Sequence, residues 1–221
     1  MFKGPSPLGF GDRRRFPPEQ GPYYCGVGAD EVDGRHLVEE HMHACVMAGL
    51  SICGVNAEVM PGQWEFQIGG PNKDPVTVGD HLWLARWLLY RLGERHGINV
   101  SLDAKPISGD WNGAGAHANF STKAMRQEHG MATITAACDR LAGRIEDHLA
   151  VYGEGYEQRL TGRHETCRFD VFKYGVGDRT ASVRIPAQVA VDGKGYLEDR
   201  RPCANADPYE VGRLLVETIC L

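Results

Sequence analysis

In the stretch Asn56-Ala57-Glu58-Val59-Met60-Pro61-Gly62-Gln63-Trp64-Glu65-Phe66-Gln67, apolar and polar residues alternate on either side of Pro61-Gly62. A period of two marks a half-buried strand and Pro-Gly marks a turn, so the stretch predicts an antiparallel hairpin. With Pro61-Gly62 as a two-residue loop, Met60 faces Gln63, Val59 faces Trp64, Glu58 faces Glu65, Ala57 faces Phe66 and Asn56 faces Gln67. This pairing puts Ala57, Val59, Trp64 and Phe66 on a core face and Asn56, Glu58, Gln63, Glu65 and Gln67 on a polar one. Two carboxylates directly opposite, with Cβ atoms about 4.5–5.5 Å apart, destabilise a sheet unless a cation lies between them. Glu58 and Glu65 are therefore candidate ligands for a hard cation such as Mg²⁺, which prefers carboxylate oxygens. A solvated polar face with two unrelated glutamates is the alternative reading. L-Pro-Gly is not the favoured two-residue turn, and a longer loop would move the pairing.

The same period of two predicts strands over 52–60, 63–68, 99–104, 116–121, 180–185 and 196–200. Helices are expected over 33–48, ended by Gly49; over 79–92, with Thr77 and Asp80 as a capping pair and Gly97 past the end; and over 131–151. The last helix starts at Asp207 as N-cap with Pro208 at its first position and Glu210 closing a capping box, and buries Val211, Leu214, Leu215 and Ile219. Hairpins with interspersed helices make this an α+β fold, with an antiparallel-rich curved sheet and flanking helices.

The chain has 221 residues, 42% of them hydrophobic, with 24 Lys+Arg against 29 Asp+Glu for a net charge of −5. Such values fit a folded protein with a sizeable core, and the mild acidity argues against nucleic acid or an anionic membrane as partner. The most apolar stretch, 82–92, is interrupted by Arg86 and Arg91 and is too short to span a bilayer. The first residues carry neither a signal-peptide apolar run nor a transit-peptide pattern, so a cytoplasmic protein is expected. Seven dispersed cysteines without a C-x-x-C pair read as reduced thiols.

Two further clusters carry chemistry. In Asp110-Trp111-Asn112-Gly113-Ala114-Gly115-Ala116-His117-Ala118-Asn119-Phe120-Ser121, a glycine-rich turn allows close approach of the backbone, and His117, Asn119 and Ser121 share one strand face. The turn matches neither a Walker A loop nor a dinucleotide fingerprint. Arg159, Arg163, Arg179, Arg184, Arg200 and Arg201 gather in strand-rich segments, where Thr180, Ser182 and Arg184 share a face, as do Tyr196, Glu198 and Arg200. Guanidinium groups so placed suit a phosphate or carboxylate substrate, with surface salt bridges as the alternative for any one arginine. Carboxylates, a histidine, a glycine-rich loop and arginines together describe metal-assisted phosphoryl transfer.

These segments resemble the catalytic domain of class II (eukaryotic-type) glutamine synthetases. The matching stretches are Gly21-Pro22-Tyr23-Tyr24-Cys25-Gly26-Val27-Gly28, Asn56 to Pro61 with Gln63-Trp64-Glu65-Phe66, Asn112-Gly113-Ala114-Gly115 with His117 and Asn119-Phe120-Ser121-Thr122-Lys123, Leu160-Thr161-Gly162 with His164-Glu165-Thr166, and Glu198-Asp199-Arg200-Arg201-Pro202. The resemblance implies that Glu58 and Glu65 ligate the metal on the glutamate side, and that His117 and Glu198 hold the metal bridging the ATP phosphates, with Mg²⁺ or Mn²⁺ in both places. It implies glutamate contacts from Asn112, Gly113, Arg159, Arg179 and Arg184, and nucleotide contacts from Ser121, Arg179, Arg184 and Tyr196. Glu165, Arg179 and Arg200 form the implied catalytic set, with Glu165 on a closing flap and Arg200 on the transferring phosphoryl group.

The implied reaction joins ammonia to glutamate through a γ-glutamyl phosphate at the expense of ATP, in a homo-oligomer of stacked pentameric rings. Residues 1–20 are expected to be an extended lead-in continuing from an upstream part, and 21–221 the catalytic domain. The family's N-terminal β-grasp domain, its Glu-x-Glu strand and the acid that deprotonates ammonium have no match in these residues. A partial glutamine synthetase is thus the first expectation, and a non-catalytic structural or regulatory relative the second.

Overall fold

A computed structural model of the chain describes residues 1–4, 6–11, 17–70 and 73–221. Of the lead-in expected over 1–20, residues 5 and 12–16 lie outside the described residues. The chain divides into two units, one of residues 1–101 with 107–111 and one of residues 102–106 with 112–221.

In the first unit, β1 (Phe2–Lys3) and β2 (Ser6–Pro7) form a short antiparallel pair. Helix α1 (Arg35–Met47) buries Leu37, Val38, His41 and Cys45, whereas Val46 is exposed. Strands β3 (Ile52–Ala57) and β4 (Trp64–Ile68) make the expected hairpin. Helix α2 (Pro75–His96) starts four residues before the expected position, because Asp74, not the Thr77–Asp80 pair, caps it. The Asp74 carboxylate accepts from Thr77 N at 3.0 Å, Pro75 takes the first helical position, and Gly97 (φ 62°) ends the helix. The two helices and the hairpin enclose Leu37, Leu89, Leu92 and Ile98, with Phe66 packed against them. The strand expected over 99–104 reduces to one bridge, Phe2 to Asn99.

The hairpin keeps the expected faces but not the expected register. Ala57 faces Trp64, Asn56 faces Glu65 and Val55 faces Phe66, while Glu58 N donates to Gln63 O at 2.9 Å. Gln63 N also donates to Met60 O at 2.9 Å, and Gly62 has φ 73°. Met60-Pro61-Gly62-Gln63 is therefore a type II turn, with Pro at its second position and Gly at its third. The longer loop shifts the pairing by two residues. An even shift returns every side chain to its original face, so Ala57 (3% exposed) and Phe66 still face the core. Glu58 and Glu65 are diagonal neighbours on the polar face, not opposed, which removes the direct repulsion on which the cation argument rested.

The second unit is built on a four-stranded sheet of β5 (Ala118–Phe120), β6 (Tyr174–Val176), β7 (Val183–Ile185) and β8 (Leu197–Asp199), in the order β5-β8-β7-β6. The β5–β8 and β8–β7 pairs are antiparallel and β7–β6 is parallel. The helix expected over 131–151 is two, α3 (Gly130–Ala142) and α4 (Ile145–Leu149), broken at Gly143-Arg144. Short helices α5 (Tyr156–Arg159) and α6 (Ala187–Asp192) follow, and α7 (Pro208–Cys220) closes the chain.

Asp207 caps α7 through Tyr209 N at 3.0 Å. Glu210 pairs with Arg213 at 2.7 Å, and Val211, Leu214, Leu215 and Ile219 are buried as expected. Ile134, Cys138 and Leu141 of α3 and Val211, Leu215 and Ile219 of α7 cover the side of the sheet formed by Val183, Ile185 and Leu197. One face of the sheet is thus apolar core. The other holds Asn119, Glu198 and Arg184 in a row across β5, β8 and β7. Among the described residues no helix is long and apolar enough to cross a membrane.

Candidate functional site

Strand pairing dictates what meets on the polar face of the second unit. Asn119 lies opposite Glu198, and Glu198 lies opposite Arg184. Glu198, only 6% exposed, is held from three sides: Arg184 Nε donates to Oε2, Arg200 Nη1 donates to Oε1 at 3.1 Å, and His117 Nδ1 lies 3.3 Å from Oε1. Burial alone would raise the carboxyl's pKa. The opposing pull of His117, Arg200 and Arg184 outweighs it and brings the pKa down to about 2.

The partners fix the state of His117. Arginine only donates hydrogen bonds, so His117 Nε2, which lies 3.1 Å from Arg159 Nη2, is the acceptor. The ring proton then sits on Nδ1 and points to Glu198. Desolvation is the largest effect on this imidazole, and together with the Arg159 and Arg200 cations it holds the pKa below the usual range despite Glu198. Arg159 is 5% exposed and also donates to Arg201 O at 3.1 Å and Arg200 O at 3.0 Å. The glycine-rich turn makes room for it. A Cβ on Gly113 would lie 2.5 Å from Ala104 O and 2.7 Å from Arg159 Cγ, and one on Gly115 would lie 2.3 Å from Arg159 Nη2. Both glycines are thus explained by packing against Arg159.

Glu165 stands at the edge of this cluster. Its backbone O accepts from Arg200 Nη2 at 3.3 Å, and its carboxylate pairs with Arg179 Nε at 3.2 Å. His164 (φ 54°) and Glu165 (φ 58°) both lie in the left-handed region, where non-glycine residues store strain of about 1 kcal/mol or more each. Ser121 Oγ donates to Gly195 O at 2.6 Å, beside the half-exposed Tyr196. Of the expected site residues, the second unit therefore brings His117, Arg159, Arg184, Glu198 and Arg200 into one network, joins Glu165 and Arg179 at its rim, and sets Asn112 and Gly113 before it in the turn. Glu58 and Glu65 share the polar face of the hairpin in the first unit.

An ionised carboxylate beside a neutral imidazole matches a hard or borderline divalent cation by donor type, and so do two carboxylates on one face, but His117 can offer Nε2 to a cation only when Arg159 gives up its bond to that nitrogen. Among the described residues no three His, Cys, Asp or Glu side chains converge as a metal-holding group. Two protein donors suffice only where water or substrate phosphate supplies the rest, as is usual for Mg²⁺.

The profile of the glutamine synthetase catalytic domain matches residues 13–148. The chain belongs to the glutamine synthetase family. It is 56% identical over 222 residues to the glutamine synthetase of Streptomyces hygroscopicus, a match covering 100% of this chain and 64% of that protein. The glutamine synthetase of Streptomyces viridochromogenes is 59% identical over 221 residues, covering 100% of this chain and 63% of that protein. The chain thus spans a little under two thirds of these relatives. In fold, it superposes on the cryo-EM structure of Plasmodium falciparum glutamine synthetase with a TM-score of 0.72 at 17% identity, covering 90% of this chain and 39% of that one.

Not all of this network is marked in the sequence. Asp199, between Glu198 and Arg200, is 0% exposed on the core side of β8, paired with Arg201 and hydrogen-bonded by Tyr152 at 2.7 Å. The only local signal is the Asp-x-Arg spacing, which places both side chains on one strand face. Tyr152 is 47 residues away and carries no such signal.

Proposed function

We propose that this chain is the larger part of a glutamine synthetase and carries the residues that transfer the ATP γ-phosphoryl group to the side-chain carboxylate of glutamate, so that ammonia can displace phosphate from the γ-glutamyl phosphate. The observation that carries the reading is the Glu198 cluster: one ionised carboxylate among Arg184, Arg200 and His117 on the polar face of the sheet. Pre-placed guanidinium groups stabilise charge as it moves onto the phosphoryl oxygens, without reorganising at the moment of reaction. Arg200 is oriented by Glu198 and by the Glu165 backbone, and Arg179 by the Glu165 carboxylate. Glu165 thereby links two arginines to one strained loop, which fits a flap that excludes water from a reactive acyl phosphate.

His117 and Glu198 would hold the cation on the phosphate side, and Glu58 and Glu65 the one on the glutamate side. Bound there, Mg²⁺ or Mn²⁺ would neutralise phosphate charge and orient the γ-phosphate. Ser121, Arg179, Arg184 and Tyr196 are assigned to the nucleotide, and Asn112, Gly113, Arg159, Arg179 and Arg184 to glutamate. Assembly into a ring-shaped homo-oligomer, with sites shared between subunits, is part of the same proposal.

Hydroxamate formation tests it. Hydroxylamine, unlike ammonia, is largely unprotonated at neutral pH, so its reaction needs no side chain to deprotonate it. With glutamate, ATP and Mg²⁺ the chain should form γ-glutamyl hydroxamate, and Glu198→Gln should lower the rate by at least about 100-fold. A fold kept without catalysis is the second reading, favoured by the absence of a three-donor group among the described residues. No hydroxamate from the folded chain would select it.

A further inference from the structure

Behind the Glu198 cluster, on the core side of β8, runs a chain of hydrogen bonds whose direction follows from the chemistry of its two ends and a neutral His148. Arg144 can only donate, and its Nη1 lies 3.2 Å from Thr218 Oγ1. Asp199 as a carboxylate can only accept, and takes the Tyr152 hydroxyl proton at 2.7 Å. Tyr152 has one proton, so it must accept from His148 Nδ1 at 2.6 Å. Burial holds His148 neutral, so with its proton on Nδ1 the Nε2 atom accepts from Thr218 at 2.8 Å. The order Arg144, Thr218, His148, Tyr152, Asp199 leaves none of these polar groups unmatched. Arg201 completes the anchor, donating Nε and Nη2 to Asp199 at 2.9 and 2.7 Å and lying over the Tyr152 ring at 5.2 Å. His148, Tyr152 and Asp199 are each 0% exposed.

We propose that Tyr152, His148 and Thr218 are positioning residues for Glu198 and Arg200. In a strand, adjacent side chains point to opposite faces, so a residue clamped on one face sets the torsions that aim its two neighbours on the other. Asp199 is that residue, and the relay ties it to α4 and α7. The relay touches none of the reacting groups assigned above. Its role rests on the reading that the Glu198 face binds a divalent cation with nucleotide phosphate.

The test is equilibrium titration of the folded chain with ADP in the presence of Mn²⁺, alongside thermal melts. Tyr152→Phe keeps the ring but leaves His148 Nδ1 without an acceptor and takes from Asp199 the one donor that links it to the relay, while Arg201 still donates to it. Thr218→Val removes only the distal hydroxyl. Ile134→Val, in the same core but outside the relay, serves as the destabilised control. Tyr152→Phe should weaken Mn²⁺·ADP binding about tenfold or more, Thr218→Val about threefold, and Ile134→Val less than about twofold. A purely structural role would make affinity follow melting temperature in all three. Wild-type affinity in Tyr152→Phe, or an equal loss in Ile134→Val, overturns the relay alone. No Mn²⁺·ADP binding by the folded wild type overturns both the relay and the function it serves. If Tyr152→Phe does not fold, Thr218→Val decides: wild-type affinity there overturns the relay.

Discussion

His148 shows how one buried group ties stability to pH. Desolvation is the largest effect, aided by the Arg201 and Arg144 cations and opposed by Asp199 and Asp147, and it pushes the imidazole from its ordinary 6.5 to about 4. The folded state therefore holds this ring neutral where the unfolded chain would protonate it. Stability from this group is complete above about pH 6.5 and falls as pH drops from there towards 4, by up to roughly 3 kcal/mol, because the unfolded state binds the extra proton. Urea melts between pH 4 and 7 should show this slope, and His148→Gln should flatten it while lowering stability at pH 7. An unchanged slope in His148→Gln would show that other groups carry the acid sensitivity. None of this is legible from His148 in the sequence, where nothing shows that Tyr152, Thr218 and Asp199 surround it. Glu198 and His117 were legible as polar strand residues, but their meeting depends on β8 pairing with the sequence-distant β5, which periodicity does not encode.

At the scale of elements, the hairpin of the first unit shows what periodicity does and does not determine. Alternation identified the buried face, and that face survived a register error because the error was even. Register itself was set by the turn: Pro61-Gly62 forms the middle of a type II turn rather than a two-residue loop. Gly62 combines φ 73° with a Cβ position 2.8 Å from both Leu8 Cβ and Leu8 O. Gly62→Ala should therefore cost about 1–3 kcal/mol, read as a lowered urea midpoint with unchanged slope. A change below about 0.5 kcal/mol would mean that the turn is not held in this form.

Helix ends were partly readable. Asp207-Pro208 marked the start of α7, whereas Asp74-Pro75 did the same for α2 but was overshadowed by Thr77 and Asp80. The break between α3 and α4 at Gly143-Arg144 frees Arg144 to reach Thr218 at 3.2 Å.

For the molecule as a whole, family membership is carried by ordered motifs and by residues 13–148, while activity depends on what 221 residues supply. The network around Glu198 is complete within the second unit, and every arginine assigned to phosphoryl transfer belongs to that unit. Phosphoryl transfer to glutamate is thus the half-reaction proposed for these residues. Its most direct measurement is positional isotope exchange in ATP carrying ¹⁸O at the β,γ-bridge, with glutamate and Mg²⁺ but no ammonia. Reversible formation of γ-glutamyl phosphate lets the β-phosphate of bound ADP rotate and moves the label to a non-bridging position. The account predicts exchange that requires glutamate and is lost in Arg200→Ala. Absence of exchange in the folded chain, or exchange independent of glutamate, would contradict it.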